Sequence, residues 1–243
     1  MASLVRELAQ GLLALLYPGI CAACGKSLPL EQGRFCTGCR EALISNPLSC
    51  PRCASSIGPY ASVEGGCVQC RDAVFHFERA LRLGPYDGLL RELVIRLKHA
   101  SGEGLAEILG DFWAESAESA LLAVGADIII PVPLHWRRRW ARGYNQSEAL
   151  ALALARRLRW PCRTRWLRRI RHTPYQTLQS GAARRDNVKG VFQASRRAEL
   201  HGRSVLLIDD VLTSGSTASD AARALRAAGA ARVTVAVLAH GPA

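Results

Sequence analysis

The run Val205-Leu206-Leu207-Ile208-Asp209-Asp210-Val211-Leu212-Thr213-Ser214-Gly215-Ser216-Thr217 passes from an apolar segment to an acidic pair and then to a small, hydroxyl-rich turn. Its apolar start is too short for a helix and predicts a buried strand over residues 204–208. The alanine-rich segment that follows predicts a helix over 216–228, closed by Gly229. A helix that opens on such a turn offers unpaired backbone N–H groups and the positive end of its dipole to an anion. The hydroxyls of Thr213, Ser214, Ser216 and Thr217 add donors, and Gly215 lets the backbone close around a phosphate. Asp209 and Asp210 stand where a sugar attached to that phosphate would emerge. Carboxylates accept hydrogen bonds from vicinal hydroxyls and reach magnesium through water. A plain strand–turn–helix accounts for any one of these features, but two adjacent acids repel each other without a ligand or cation. The Gly-Lys-Ser/Thr ending of a Walker motif is missing.

Outward from this run, strands are predicted over 79–83, 126–133, 163–167 and 232–238, and helices over 88–99, 103–121 and 145–159. Residues 169–190 are polar and aperiodic, which predicts a long loop. Strands alternating with helices predict an α/β fold built on a mainly parallel sheet. Before residue 78 the texture differs. Leucines 4, 8, 12, 15 and 16 share one helical face, so residues 1–17 read as an amphipathic docking helix that Pro18-Gly19 ends. That stretch is too short and too polar for a membrane span, and no signal-cleavage pattern follows it. The expected organisation is therefore 1–17, then 18–75, then 76–243, the last with residues 78–122 ahead of a core over 126–240.

Residues 18–75 hold four identical pairs, Cys21/Cys24, Cys36/Cys39, Cys50/Cys53 and Cys67/Cys70. Two cysteines three apart on a tight turn aim both sulfurs at one metal, and two such turns complete a tetrahedral thiolate shell. Eight thiols therefore make two structural zinc sites, with no open position for catalysis. Sequential pairing (21/24 with 36/39, 50/53 with 67/70) is the simpler arrangement, and an interleaved one satisfies the spacing equally. Disulfides and thioredoxin-like chemistry fit less well: a reducing cytoplasm is the expected compartment, and a redox motif would occur once beside a βαβ unit. Cys162, alone after Pro161, reads as a bystander.

The net charge of +12, from 32 Lys and Arg against 20 Asp and Glu, favours phosphate-rich partners. Arginine density over 156–171, with Trp160 and Trp166 inside it, is one place where a single strand would be held by charge and stacking, although those tryptophans also suit packing.

Residues 205–217 resemble the phosphoribosyl pyrophosphate motif of type I phosphoribosyltransferases. The chain as a whole is similar to the ComF family of competence-associated proteins, which join a double zinc ribbon to that fold. The likeness runs from the cysteine pairs through Leu93-Val94-Ile95-Arg96-Leu97-Lys98, Pro131-Val132-Pro133-Leu134-His135 and Arg142-Gly143-Tyr144-Asn145-Gln146. Ser214 and Ser216 stand where Thr and Ala are commoner, and His99 replaces an aromatic residue. The resemblance implies that Asp209, Asp210, Thr213, Ser214, Gly215, Ser216 and Thr217 bind phosphoribosyl pyrophosphate with magnesium. It makes Val132, Pro133, Leu134 and His135 a pyrophosphate loop with strained backbone, aided by Arg137 and Arg142. It makes Thr173, Gln176 and Arg184 part of a flexible loop that closes over substrate. The implied activity is transfer of phosphoribose to an unidentified acceptor, with Asp209 and Asp210 the best catalytic candidates. The alternative is a non-catalytic factor that handles single-stranded DNA, with other proteins, during DNA uptake.

Overall fold

The computed structural model describes residues 19–29, 33–44, 47–171 and 190–242. The expected leading helix and the expected flexible-loop residues Thr173, Gln176 and Arg184 lie outside the described residues. The chain divides into two compact units, Met1–Ser45 and Asn46–Ala243.

In the first unit, strands β1 (Gly19–Ile20) and β2 (Ser27–Leu28) pair antiparallel, and helix α1 (Thr37–Ile44) follows. Leu28, Phe35 and Leu43 are buried. Among the described residues of this unit that core is small, the situation in which metal-holding cysteines substitute for apolar burial.

The second unit is built on β3 (Arg79–Pro85), β4 (Ile128–Pro131), β5 (Leu167–Arg169), β6 (Phe192–Ala194), β7 (Ser204–Leu212) and β8 (Arg232–His240). Its helices are α2 (Gly88–Arg96), α3 (Glu103–Ser116), α4 (Glu118–Leu122), α5 (Trp136–Arg142), α6 (Gln146–Leu158) and α7 (Ser216–Ala227). Strands β3-β8-β7-β4 form one parallel sheet in that order. A parallel strand buried on both faces needs apolar residues at every position rather than at alternate ones. Accordingly, Val205 and Leu207 join Ala221, Ala222 and Leu225 of α7 in one cluster. Leu206 and Ile208, which point the other way, are just as buried. On that second side α3 packs closely on α6, where a Cβ on Gly110 would lie 2.6 Å from the Ala153 Cβ.

Several elements differ from expectation for reasons outside their own sequence. β7 runs to Leu212 instead of stopping at Ile208, because β8 supplies ladder partners as far as His240. The acid pair therefore sits inside the strand's last turn of pleat rather than beyond it. The predicted strand at 163–167 is replaced by a single parallel bridge, Ile129 to Cys162, and a turn then precedes β5. β5 pairs with β6, which the sequence did not announce. The 103–121 helix breaks at Ala117, whose φ of −127° is not helical, and the 88–99 helix ends at Arg96 before a 3-10 turn over Ala100–Gly102. The arginine run after His135 is helix α5, ended by Gly143 at φ 81°.

Candidate functional site

The cysteines form two clusters, Cys21, Cys24, Cys36, Cys39 and Cys50, Cys53, Cys67, Cys70, each with its sulfurs within 4.8 Å of one another. The pairing is sequential. Sulfur separations of 3.7 Å (Cys24–Cys36), 3.6 Å (Cys53–Cys67) and 3.8 Å (Cys50–Cys70) are far beyond a disulfide bond of about 2.0 Å. They match the edge of a tetrahedron with metal–sulfur bonds of about 2.3 Å, roughly 3.8 Å. Both donor sets are thus compatible with structural zinc. The turns are built to approach the sulfurs: Cys36 N–H points at Cys21 Sγ (3.3 Å), and Gly25, at φ 75°, closes the first knuckle. Cys162 takes no part; burial pushes its thiol up to about 11, which leaves it unreactive.

In the second unit, Thr213 to Thr217 bridge β7 and α7. Gly215 adopts φ 75°, a conformation that disfavours any side chain, and it caps α7 without a side-chain hydrogen bond. Gly215 therefore offers no side-chain acceptor to the first-turn amides of α7, which suits an anion site. Ser214 Oγ and Ser216 Oγ lie 2.9 Å apart, and Thr213 is exposed. A cavity of about 920 Å³ opens beside this turn, with Phe75, His76, Ser214, Ser216 and Ser219 in its wall.

Asp209 and Asp210 are half-buried. Asp209 Oδ1 accepts hydrogen bonds from Ser147 Oγ (2.8 Å) and Asp210 N–H (3.0 Å), and Asp210 Oδ1 accepts Val211 N–H (2.9 Å). Burial first, and the Asp210 charge second, push the Asp209 carboxyl up to about 8; the Ser147 bond opposes them. A cation or hydroxyl donors beside the pair would relieve the repulsion between Asp209 and Asp210 that contributes to this shift.

The Val132–His135 loop departs from its implied form. None of its residues has a positive φ. Pro131 and Pro133 have no N–H, and Val132 N–H is committed to Ile208 O (2.8 Å), so Leu134 carries the amide donor left in 131–134. His135 is buried and accepts Arg137 N–H through Nδ1 (3.3 Å), capping α5. Arg137 stacks over Trp136 at 5.2 Å, Arg142 ends the helix, and Arg139 pairs with Glu148 at 2.8 Å.

Four residues at the site had not been singled out from sequence. Ser147 holds Asp209, and Asn145 Nδ2 donates to Val132 O (3.1 Å), fixing the loop. Tyr144 donates to Leu97 O, and burial pushes its phenol up to about 12, so it remains a donor. Phe75 lies against Gly215, where a Cβ would come within 2.8 Å of its ring. The Tyr144–Asn145 pair lies within one of the stretches that carry the family likeness, and its polarity beside Gly143 is the signal in the sequence.

The arginine-dense stretch expected to hold single strands has little stacking surface. Trp166 packs against the sheet core with Arg163 over its ring (5.7 Å), and Trp160 is half-buried. The exposed tryptophans are Trp136 (65 %) and Trp140 (86 %), one turn apart on α5. Among the described residues, no helix is long and apolar enough to cross a membrane.

Residues 145–243 match the phosphoribosyl transferase domain family. Over 228 residues the chain is 31% identical to competence protein F of Haemophilus influenzae, covering 88% of this chain and 94% of that protein. It is 30% identical over 224 residues to the DNA utilization protein YhgH of Escherichia coli (91% and 96% covered), and 28% identical over 204 residues to competence protein ComFC of Bacillus subtilis (79% and 78%). Among solved structures, the allosteric regulatory enzyme of purine biosynthesis overlays with a TM-score of 0.39 at 26% identity, covering 56% of this chain and 26% of that one. With two four-cysteine clusters ahead of a phosphoribosyltransferase-type sheet, and with these relatives along most of its length, the chain belongs to the ComF family of competence proteins.

Proposed function

We propose that this chain binds phosphoribosyl pyrophosphate with magnesium and transfers its phosphoribosyl group to an acceptor. The observation that carries the reading is the uncapped start of α7, opened by Gly215 next to a carboxyl raised to about 8. In this reading the amides and hydroxyls of Thr213–Thr217 hold the 5′-phosphate. Asp209 and Asp210 accept hydrogen bonds from the ribose hydroxyls, and Ser147 keeps Asp209 oriented toward them. Leu134 N–H and the α5 arginines face the diphosphate, and their charge favours its departure from the anomeric carbon. Magnesium, when bound, neutralises the diphosphate and so makes it a better leaving group. The protein contributes position and electrostatics rather than a covalent intermediate. Calorimetric titration with phosphoribosyl pyrophosphate, with and without magnesium, followed by a screen of bases and amines for pyrophosphate release, tests it. Absence of magnesium-dependent affinity in the folded protein would sink the reading.

A second reading, handling of single-stranded DNA, is favoured by Trp136 and Trp140. Two exposed indoles at i and i+4 on a helix that also carries Arg137, Arg138, Arg139 and Arg142 combine stacking platforms with phosphate contacts. The names of the relatives, a competence protein and a DNA utilization protein, point the same way.

A further inference from the structure

The phosphate-loop glycine and the second cysteine cluster are joined by a short chain of contacts. Arg52 lies between Cys50 and Cys53 in sequence, and its guanidinium donates to Gly65 O (3.1 Å), Cys70 O (2.6 Å), Arg71 O (3.3 Å) and Ala73 O (2.6 Å). One side chain thereby staples both knuckles of the cluster. There is no spare room at the staple: a Cβ on Gly66 would lie 2.8 Å from Cys70 Sγ and 3.1 Å from Arg52 Nη1. The same guanidinium sits 5.6 Å over the Phe75 ring. Phe75 stacks on Phe77 (4.5 Å, 15° between planes) and packs against both the cysteine cluster and the sheet core. Its far edge fills the space that a Cβ on Gly215 would need. One residue on, His76 N–H donates to Ser219 Oγ (3.1 Å), in the first turns of α7.

We infer that the metal-loaded second cluster is the positioning element of the phosphate loop, acting through Arg52 and Phe75. The inference rests on reading Thr213–Thr217 as a phosphate site. Four thiolates on one metal hold the two knuckles together, and closed knuckles line up the carbonyls that Arg52 bonds. Arg52 then clamps Phe75, and Phe75 presses Gly215 into the left-handed turn that presents the α7 amides. Without metal nothing ties the two knuckles together, the carbonyls separate and the ring loses its clamp. The loop must then be ordered by the ligand itself, which weakens binding. Occupancy of this cluster therefore sets affinity at a site that holds none of its ligands.

The test uses the full chain and three measurements: zinc content, amide hydrogen exchange over residues 213–219, and titration with magnesium and phosphoribosyl pyrophosphate. Phe75→Ala keeps the cysteines and is expected to retain all the zinc of the wild type. Exchange at 213–219 rises while β7 and β8 stay protected, and affinity falls about tenfold, as expected when a preorganised loop must be ordered on binding. Phe75→Tyr, which preserves the flat ring, restores both readouts. Cys67→Ser loses one zinc and reproduces the loop behaviour of Phe75→Ala. If Phe75→Ala does not fold, Arg52→Lys, which keeps the charge but not the carbonyl fork, takes its place with the same expected exchange. Unchanged exchange at 213–219 in the zinc-retaining variant and in Cys67→Ser overturns the link. A wild type that binds no phosphoribosyl pyrophosphate overturns the proposed ligand instead, and the exchange measurement still decides the link.

Discussion

Ser147 Oγ donates a 2.8 Å hydrogen bond to Asp209 Oδ1, joining the first turn of α6 to the end of β7 across 62 positions of sequence. The bond favours the ionised carboxylate, whereas burial and Asp210 favour the protonated one, and the latter prevail, raising the group from its ordinary 3.8 to about 8. A carboxyl with a raised folded pKa stabilises the fold fully below the unfolded value and loses that contribution as pH rises through the folded one. In the ligand-free protein this group's contribution therefore declines between about pH 4 and pH 8. A magnesium-bearing ligand needs the ionised form, so binding at pH 7 releases a proton and tightens as pH approaches 8. Titrations in buffers of different ionisation enthalpy measure that proton. Ser147→Ala pushes the carboxyl higher still and weakens binding by about 1 kcal/mol, roughly fivefold. Asp209→Asn abolishes the proton release and raises the ligand-free melting temperature at pH 8.

Loop variants separate backbone from side-chain contributions. Gly215→Val puts a branched side chain at φ 75° and drives a Cβ to 2.8 Å from Phe75, so it costs the most affinity. Asp210→Asn removes a charge-assisted hydrogen bond, worth about 1.5–3 kcal/mol. Ser216→Ala costs about 0.5–1.5 kcal/mol, since the α7 amides remain while Ser214 loses a partner at 2.9 Å. Calorimetry on the folded variants is expected to rank them in that order.

Elemental analysis of reduced, chelator-free protein is expected to find two zinc ions per chain, one for each cluster. Cys36→Ser removes one and loosens only the Met1–Ser45 unit. Cys53→Ser removes the other and lowers the melting temperature of the Asn46–Ala243 unit, because its cluster packs with Phe75 onto the sheet core.

If α5 holds single-stranded DNA, Trp140→Ala weakens it by about 1–3 kcal/mol, the usual worth of one stacked base. Arg137→Ala and Arg142→Ala each lower the steepness of the salt dependence by roughly one phosphate contact. Trp166→Ala lowers stability and leaves the DNA affinity intact, because that ring packs against the core. Fluorescence anisotropy with a labelled oligonucleotide over a salt series reads all four; equal losses from Trp140 and Trp166 would remove α5 from the interface.

Asp220 accepts Gly190, Val191 and Phe192 N–H (2.9, 2.8 and 3.1 Å) and pairs with Arg223 at 2.9 Å. It is buried, so Asp220→Ala leaves three backbone donors without an acceptor and costs about 3 kcal/mol or more. Asp220→Asn retains part of this. Thermal denaturation measures both.

Much of the architecture was legible from local pattern. Buried parallel strands read as apolar runs, the acid pair and hydroxyl turn mark a strand end followed by a helix start, and paired cysteines mark metal turns. Each of these signals is complete within a few residues, so no partner is needed to interpret it. Boundaries were less legible. β7 reaches Leu212 because β8 is there to pair with it, and the Cys162 segment gives one bridge rather than a strand because the chain turns away after Arg163.

From its sequence alone the chain was committed to a parallel α/β sheet, two four-cysteine clusters and a hydroxyl-rich turn between a strand and a helix, because short-range periodicity and side-chain chemistry decide those. Only the tertiary structure decided that the cysteines pair sequentially, since every pair offers the same sulfur geometry and closure of the chain selects among them. It alone set Ser147 on Asp209 and Phe75 under Gly215, and it packed Trp166 against the core while leaving Trp140 exposed. These contacts join residues far apart in sequence, and no local pattern encodes which distant side chain will fill the space left beside a carboxyl or a glycine.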